Sequence, residues 1–270
     1  GPRRAPQRVQ SVILVFDTGS DLAAQGDQRG FLRRQIRNLS LLGRLRHRAL
    51  PAFGTGGVLE RGTLSAVERP FIEIKDPGER VTPRAMLRHF EAVGRGGGAA
   101  ALLAELAQIA DGLARMHGLG LIHQTLDFSA LRLVEADGAS GKRVVISGFE
   151  QSVLLRAVMN NQQQGTDRVH RAADEDLACR CPDGAQIDAS FDPGVDNYSL
   201  AAIAILALTG PLQDSALDAA NALLRTGTPE SQHRARLVLR EDLLRPARWT
   251  GLALDAAVAP PLAEVLRAAL

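Results

Sequence analysis

Short β-branched runs and longer helical stripes alternate along the chain. Residues 11–16 (SVILVF) have the length and branching of a buried strand. Residues 31–46 instead place Phe31, Leu32, Ile36, Leu39, Leu42 and Leu45 on one face of a helix. Two further strands are read at residues 50–57 and 68–75, the second spelled ERPFIEIK. A second helical stripe, Leu102, Leu103, Leu106, Ile109, Leu113 and Met116, runs through residues 99–117. Residues 94–98 (GRGGG) then read as a flexible link ahead of that helix. They lack the preceding strand and the G-K-[ST] ending of a phosphate loop.

Residues 121–150 have the layout of a short strand, a tight loop, a strand, a Gly-rich turn and another strand. Alternation at Leu131 and Leu133 and the run Val144-Val145-Ile146 supply the strand signal, and Ala139-Ser140-Gly141 the turn. Residues 196–210 are apolar on all sides after their first positions, the pattern of a fully buried helix. Residues 211–249 form a Leu- and Arg-rich helical region, and the last dozen residues a further helix. Residues 1–10 read as a tag-removal scar followed by a disordered entry, and the polar run 160–165 (NNQQQG) as mobile.

Composition narrows the class only a little. At 270 residues the chain suits one domain of two lobes or two small domains, with a large core and no need of disulfides. It is 45% hydrophobic and 23% charged, ordinary for a soluble protein, with no run of membrane-spanning length and no signal peptide. A net charge of +2 gives no case for nucleic acid. Lys75 and Lys142 are the only lysines, and with abundant Ala and Gly this points to a GC-rich, bacterial coding sequence, while the two cysteines read as thiols of a reduced, cytoplasmic protein. Cys179 and Cys181 stand too close for an ordinary disulfide, and no second pair completes a zinc site. The arginines Arg33, Arg34, Arg37, Arg44, Arg46 and Arg48 read first as a solvated helix face, and otherwise as a site for phosphates or an acidic partner.

The candidate chemistry lies in residues 121–150. The loop reads His123-Gln124-Thr125-Leu126-Asp127-Phe128-Ser129-Ala130, and the tripeptide after the hairpin reads Gly148-Phe149-Glu150. This stretch resembles the H-R-D-L-x-x-x-N and D-F-G segments of the eukaryotic-type protein kinases. Downstream, Cys181-Pro182-Asp183 stands where that family has A-P-E, and Asp196-Asn197-Tyr198-Ser199-Leu200 matches D-x-[YW]-S-L at the start of a buried helix. The resemblance covers roughly residues 11–210 and the last dozen.

The resemblance implies an α+β, protein-kinase-like two-lobed fold. Residues 11–75 would be a small β-rich lobe, its first strands absent or trimmed, and residues 76–270 a larger helical lobe that stops before the final helix. Residues 81–90 would be the first helix of that second lobe. It also implies a degenerate active site. The base, the two magnesium ligands, the phosphate-holding lysine and its glutamate partner fall on Thr125, Ala130, Gly148, Leu14 (Val15 in a register one residue on) and Asn38. Thr is no base near neutral pH, and Ala and Gly offer no side-chain oxygen to magnesium. Loss of a general base alone costs about 10²–10⁴ in rate, roughly 3–5 kcal/mol. The positions that brace the kinase fold keep suitable residues: Phe53, Leu42, His123 and Phe149, rooted on Asp196, with Asp183 in the A-P-E segment.

The leading expectation is therefore a pseudokinase with no catalytic residue, no cofactor and no metal. It would act as a regulatory or scaffolding module for a protein partner, an adjacent domain or an active kinase, without nucleic acid or a membrane span. A second reading is an atypical kinase in which Asp127 or Glu150 has taken an acid or metal role. A third keeps ATP without transfer, adenine lying near Ile74. Simpler roles stand beside the family ones, with His123 a satisfied core histidine and Asp196 a helix N-cap.

Overall fold

The structure, a computed structural model, describes residues 11–15, 41, 43–59, 69–75, 78–136, 141–149, 153–154, 173–182, 192–249 and 259–270. Three strands, β1 (Ser11–Val15), β2 (Ala52–Leu59) and β3 (Arg69–Lys75), make an antiparallel sheet with β3 in the middle. The three expected strands thus form, each within two residues of its expected start. Leu14 lies opposite Ile72, and Ser11 and Ala52 both lie opposite Lys75. The register slips between Phe53 and Gly56, which bends β2. Of the helix expected over residues 31–46 only 41 and 43–46 are described, and 43–46 form a turn and loop where helix is expected; the runs 1–10 and 160–165 lie outside the described residues.

A second sheet joins the short β4 (Glu79–Arg80) to the hairpin of β6 (Leu131–Glu135) and β7 (Lys142–Ile146), in which Leu131 faces Ile146. Between them runs α1 (Pro83–Gly118), started by Pro83 and by Thr82, whose hydroxyl accepts from the Ala85 N–H. The link expected at residues 94–98 is corrected here. The chain stays helical through Gly97 and breaks at one residue, Gly98, with φ 73° and ψ 179°. That backbone conformation is open to glycine and strained for other residues, so the break needs a single position. Beyond the kink Leu102, Leu106, Ile109, Leu113 and Met116 of the expected stripe are buried, while Leu103 is half-buried.

The short β5 (Leu121–Ile122) pairs with β8 (Val153–Leu154), and a 3-10 turn (Phe128–Ala130) leads into β6. The helical half continues with α2 (Glu175–Ala178), α3 (Gly194–Thr209), α4 (Asp214–Leu224), α5 (Pro229–Leu244), α6 (Pro246–Trp249) and α7 (Ala259–Ala269). Helix α3 is its axis. Val195, Tyr198 and the run Ala201 to Leu206 are all buried, and α1, α5 and α7 pack around it. One continuous core reaches from Leu50, Phe53 and Ile74 through α3 to Leu239 and Leu266. The architecture is α+β, a small β-rich part followed by a larger helical part, as the sequence leads one to expect. Among the described residues no helix is long and apolar enough to cross a membrane.

A buried ion pair ties off the end of α3. Asp242 on α5 is 1% exposed and meets the Arg248 guanidinium, which also donates to Thr209 Oγ1 (3.1 Å) and to the carbonyls of Gly210 (3.1 Å) and Pro211 (2.9 Å). These carbonyls follow the last turn of α3, where helical partners run out. Removing the guanidinium leaves the buried carboxylate with only the more exposed Arg245, 3.4 Å away, as counter-charge. Arg248→Ala is therefore expected to lose about 3–5 kcal/mol of unfolding free energy in urea titration. A loss below about 1 kcal/mol would show that the pair adds nothing.

Candidate functional site

The site is built around the loop between β5 and the 3-10 turn. Its anchor is Asp196, fully buried on α3 in a helix that is otherwise nearly all apolar. One carboxylate oxygen accepts from the backbone N–H of His123 at 2.7 Å and from His117 Nε2 at 2.9 Å, and the other from the N–H of Gln124 at 2.8 Å. The N-cap reading of Asp196 is excluded, because Pro193 occupies the cap and Asp196 lies inside the first turn. Buried hydrogen bonds to a charged acceptor contribute about 1.5–3 kcal/mol each. They hold an unfavourable backbone in place: Gln124 has φ 68°, in the left-handed region, at about 1–2 kcal/mol for a non-glycine residue.

His123 is fully buried, and its Nε2 lies 2.7 Å from the Ser147 carbonyl. A carbonyl only accepts, so the hydrogen sits on Nε2. Nδ1 is left as a bare acceptor with no partner among the described residues. The satisfied core histidine expected from the sequence is thus satisfied on one side only. Its ring meets Phe149 edge-on at 5.5 Å, and Phe149 meets Phe53 of β2 edge-on at 5.4 Å, an aromatic line from the small sheet to the loop.

The positions expected to be vacated come together around that line. Gly148 has φ 81°, and a Cβ built there would lie 3.4 Å from the Ala130 Cβ and 3.7 Å from His123 Cε1. Ala130 and Gly148 therefore face each other, and neither carries a side-chain oxygen. Thr125 is 7% exposed, and its hydroxyl has no hydrogen-bond partner among the described residues. Lys142 Nζ lies 2.5 Å from Glu79 on β4, and Lys75 pairs opposite Ser11, about 10 Å along the strand from Leu14. Asn38, Leu42, Glu150 and Asp183 lie outside the described residues, and of Leu14 only the strand is described.

Asp127 has become a structural group. It is 1% exposed, caps the 3-10 turn by accepting from the Ala130 N–H at 2.9 Å, and receives the Ser129 hydroxyl and Arg180 Nη2, both at 2.6 Å. Beside it Asp176 of α2 accepts from the Ser129 N–H at 3.1 Å. Burial, then the negative charges of Asp127 and Asp174, push the Asp176 carboxyl up to about 7, against the pull of the Ser129 N–H and Arg180. Burial likewise raises the Cys179 thiol well above its usual value, so it stays protonated and unreactive. Cys179 takes part in no disulfide among the described residues. His117, Ser147, Asp176 and Arg180 escaped sequence reasoning, since each acts through a partner distant in sequence and no local pattern marks it.

No protein-family model matches the chain, and no curated protein matches it. Among solved structures it is similar to the kinase domain of Mycobacterium tuberculosis PknI in a double-mutant form. The identity is 18% and the TM-score 0.44, over 95% of this chain and 85% of that one. A likeness of that extent fixes no residue role.

Two outcomes follow from this geometry. In Asp196→Asn the amide cannot accept on both sides, so a loss of about 2–4 kcal/mol is expected in urea unfolding, with faster amide exchange at His123 and Gln124. Unchanged exchange there would show that the carboxylate does not hold the loop. The second concerns pH. Below the unfolded value of 3.8 both states hold the Asp176 proton; between there and about 7 only the folded state does. This group's contribution to stability therefore falls as pH rises across that window and levels off above it. Asp176→Asn should flatten the decline in melting temperature from about pH 5 to pH 8, each kcal/mol counting for roughly 2–4 °C. Parallel pH profiles for the two proteins would exclude a raised Asp176.

Proposed function

We propose that the chain is a pseudokinase domain that acts as a regulatory or scaffolding module, binding a protein partner, an adjacent domain or an active kinase. The observation that carries the reading is the contrast between bracing and chemistry within one loop. Asp196 grips His123 and Gln124, and the Phe53, Phe149 and His123 rings meet edge to face. A few ångströms away Ala130 and Gly148 face each other without a side-chain oxygen for a cation. Phosphoryl transfer depends on positioning and on neutralising the charge of the triphosphate. Here the nearest carboxylate of the loop, Asp127, is engaged by Arg180 and by the turn it caps, which speaks against a migrated base.

The test is a thermal melt with ATP, with and without magnesium. A site of about 10 μM affinity exposed to about 1 mM nucleotide would add roughly 2.7 kcal/mol, several degrees in a domain of this size. No shift above about 1 °C is expected in either condition, and no phosphate release. A magnesium-dependent shift with phosphate release, abolished in Asp127→Ala, would establish a phosphotransferase instead. A shift that ignores magnesium would establish nucleotide binding without transfer.

A further inference from the structure

The loop before β2 carries charge that the cleft does not use. Arg44, Arg46 and Arg48 are all exposed, and Arg143 on β7 is half-buried beside them. The four are contiguous because the loop is sewn to β7. The Arg143 guanidinium donates to the Arg48 carbonyl, and the Ile146 N–H donates to the Ala49 carbonyl at 2.8 Å. On the other side the loop rests on α1, where His47 Nε2 meets Asp111 at 2.8 Å and Ala49 N–H donates to His47 Nδ1 at 3.1 Å.

None of the four arginines has a carboxylate partner among the described residues. Arg46 turns back onto the carbonyls of Gly43 (3.0 Å) and Leu45 (3.5 Å), and Arg143 onto that of Arg48. The acids nearby are engaged elsewhere. Asp111 is shared by His47 and Arg115, Glu105 by His89 and the Val144 N–H, and Glu79 by Lys142. The surface is thus a concentration of guanidinium charge on a chain whose net charge is only +2. Guanidinium forks match carboxylates in pairs and are weakly hydrated, so such a surface is poised to exchange carbonyl contacts for acids.

We propose that Arg44, Arg46, Arg48 and Arg143 form a docking surface for an Asp/Glu-rich segment of a partner protein. This deepens the reading of the chain as a binding module by naming where a partner sits and what chemistry it carries. Other anions fit less well. Residues 43–50 (GRLRHRAL) contain no Phe, Tyr or Trp on which nucleic-acid bases could stack. The loop's apolar residues face inward, with Ala49 and Leu50 buried and Leu45 packed on the core, so none is offered to a lipid surface.

The test uses the whole chain and a fluorescein-labelled peptide of alternating Glu and Gly, followed by anisotropy at physiological ionic strength. Binding is expected, weakened at least about tenfold in R44E/R46E/R48E and in a separate Arg143→Gln variant by a smaller factor. Reversal of three exposed arginines elsewhere, R84E/R88E/R225E, should change affinity by less than about twofold. Melting curves establish that each variant folds. Absence of peptide binding, an equal loss in the control, or tighter binding to phosphatidylserine vesicles or duplex DNA would each overturn the proposal. None of these results bears on nucleotide or magnesium, so the pseudokinase reading stands or falls separately.

Discussion

A carboxylate with no exposed surface, set in a helix of alanine, isoleucine and leucine, is unstable unless it is fully partnered. Asp196 reaches that condition through three donors from elsewhere in the chain, two backbone amides of the loop and the imidazole of His117. The dependence runs both ways. Without the loop, α3 would hold a buried charge met by His117 alone; without the charge, Gln124 would have little reason to stay in the left-handed region. The aromatic line, the facing Ala130 and Gly148 and the Asp127 cap all inherit their positions from that clasp.

Around it the molecule separates two kinds of polar group. One kind fixes geometry and is buried with partners: Asp196, Asp127 with Arg180, and Asp242 with Arg248. The other kind would do chemistry, and on the proposed reading its places in the loop are taken by Thr125, Ala130 and Gly148, two of which carry no side-chain oxygen. A surface that binds another protein needs only the first kind. This is why fold-bracing residues and an exposed arginine loop fit together in one functional account.

Much of this was legible in the chain. The stripe from Leu102 to Met116, the hairpin of Leu131 and Val144, and the all-apolar α3 each declare themselves through local periodicity, which burial enforces residue by residue. Asp196 could be picked out because Asp196-Asn197-Tyr198-Ser199-Leu200 resembles the D-x-[YW]-S-L segment of the kinases. The break at Gly98 was placed over five residues, since four glycines in GRGGG look alike until the backbone assigns a positive φ to one. The Asp127–Arg180 and Asp242–Arg248 pairs were not readable at all. Arginine and aspartate are common on any surface, and only three-dimensional proximity tells a buried pair from solvated charges.

The backbone at Gly148 has a consequence for what that position can hold. A positive φ excludes most side chains but is tolerated by Asp and Asn, and a Cβ there would meet only ordinary contacts. On the proposed reading the main chain at this position has a shape an acidic residue could occupy, whereas the neighbouring Asp127, locked to Arg180, would first have to be released.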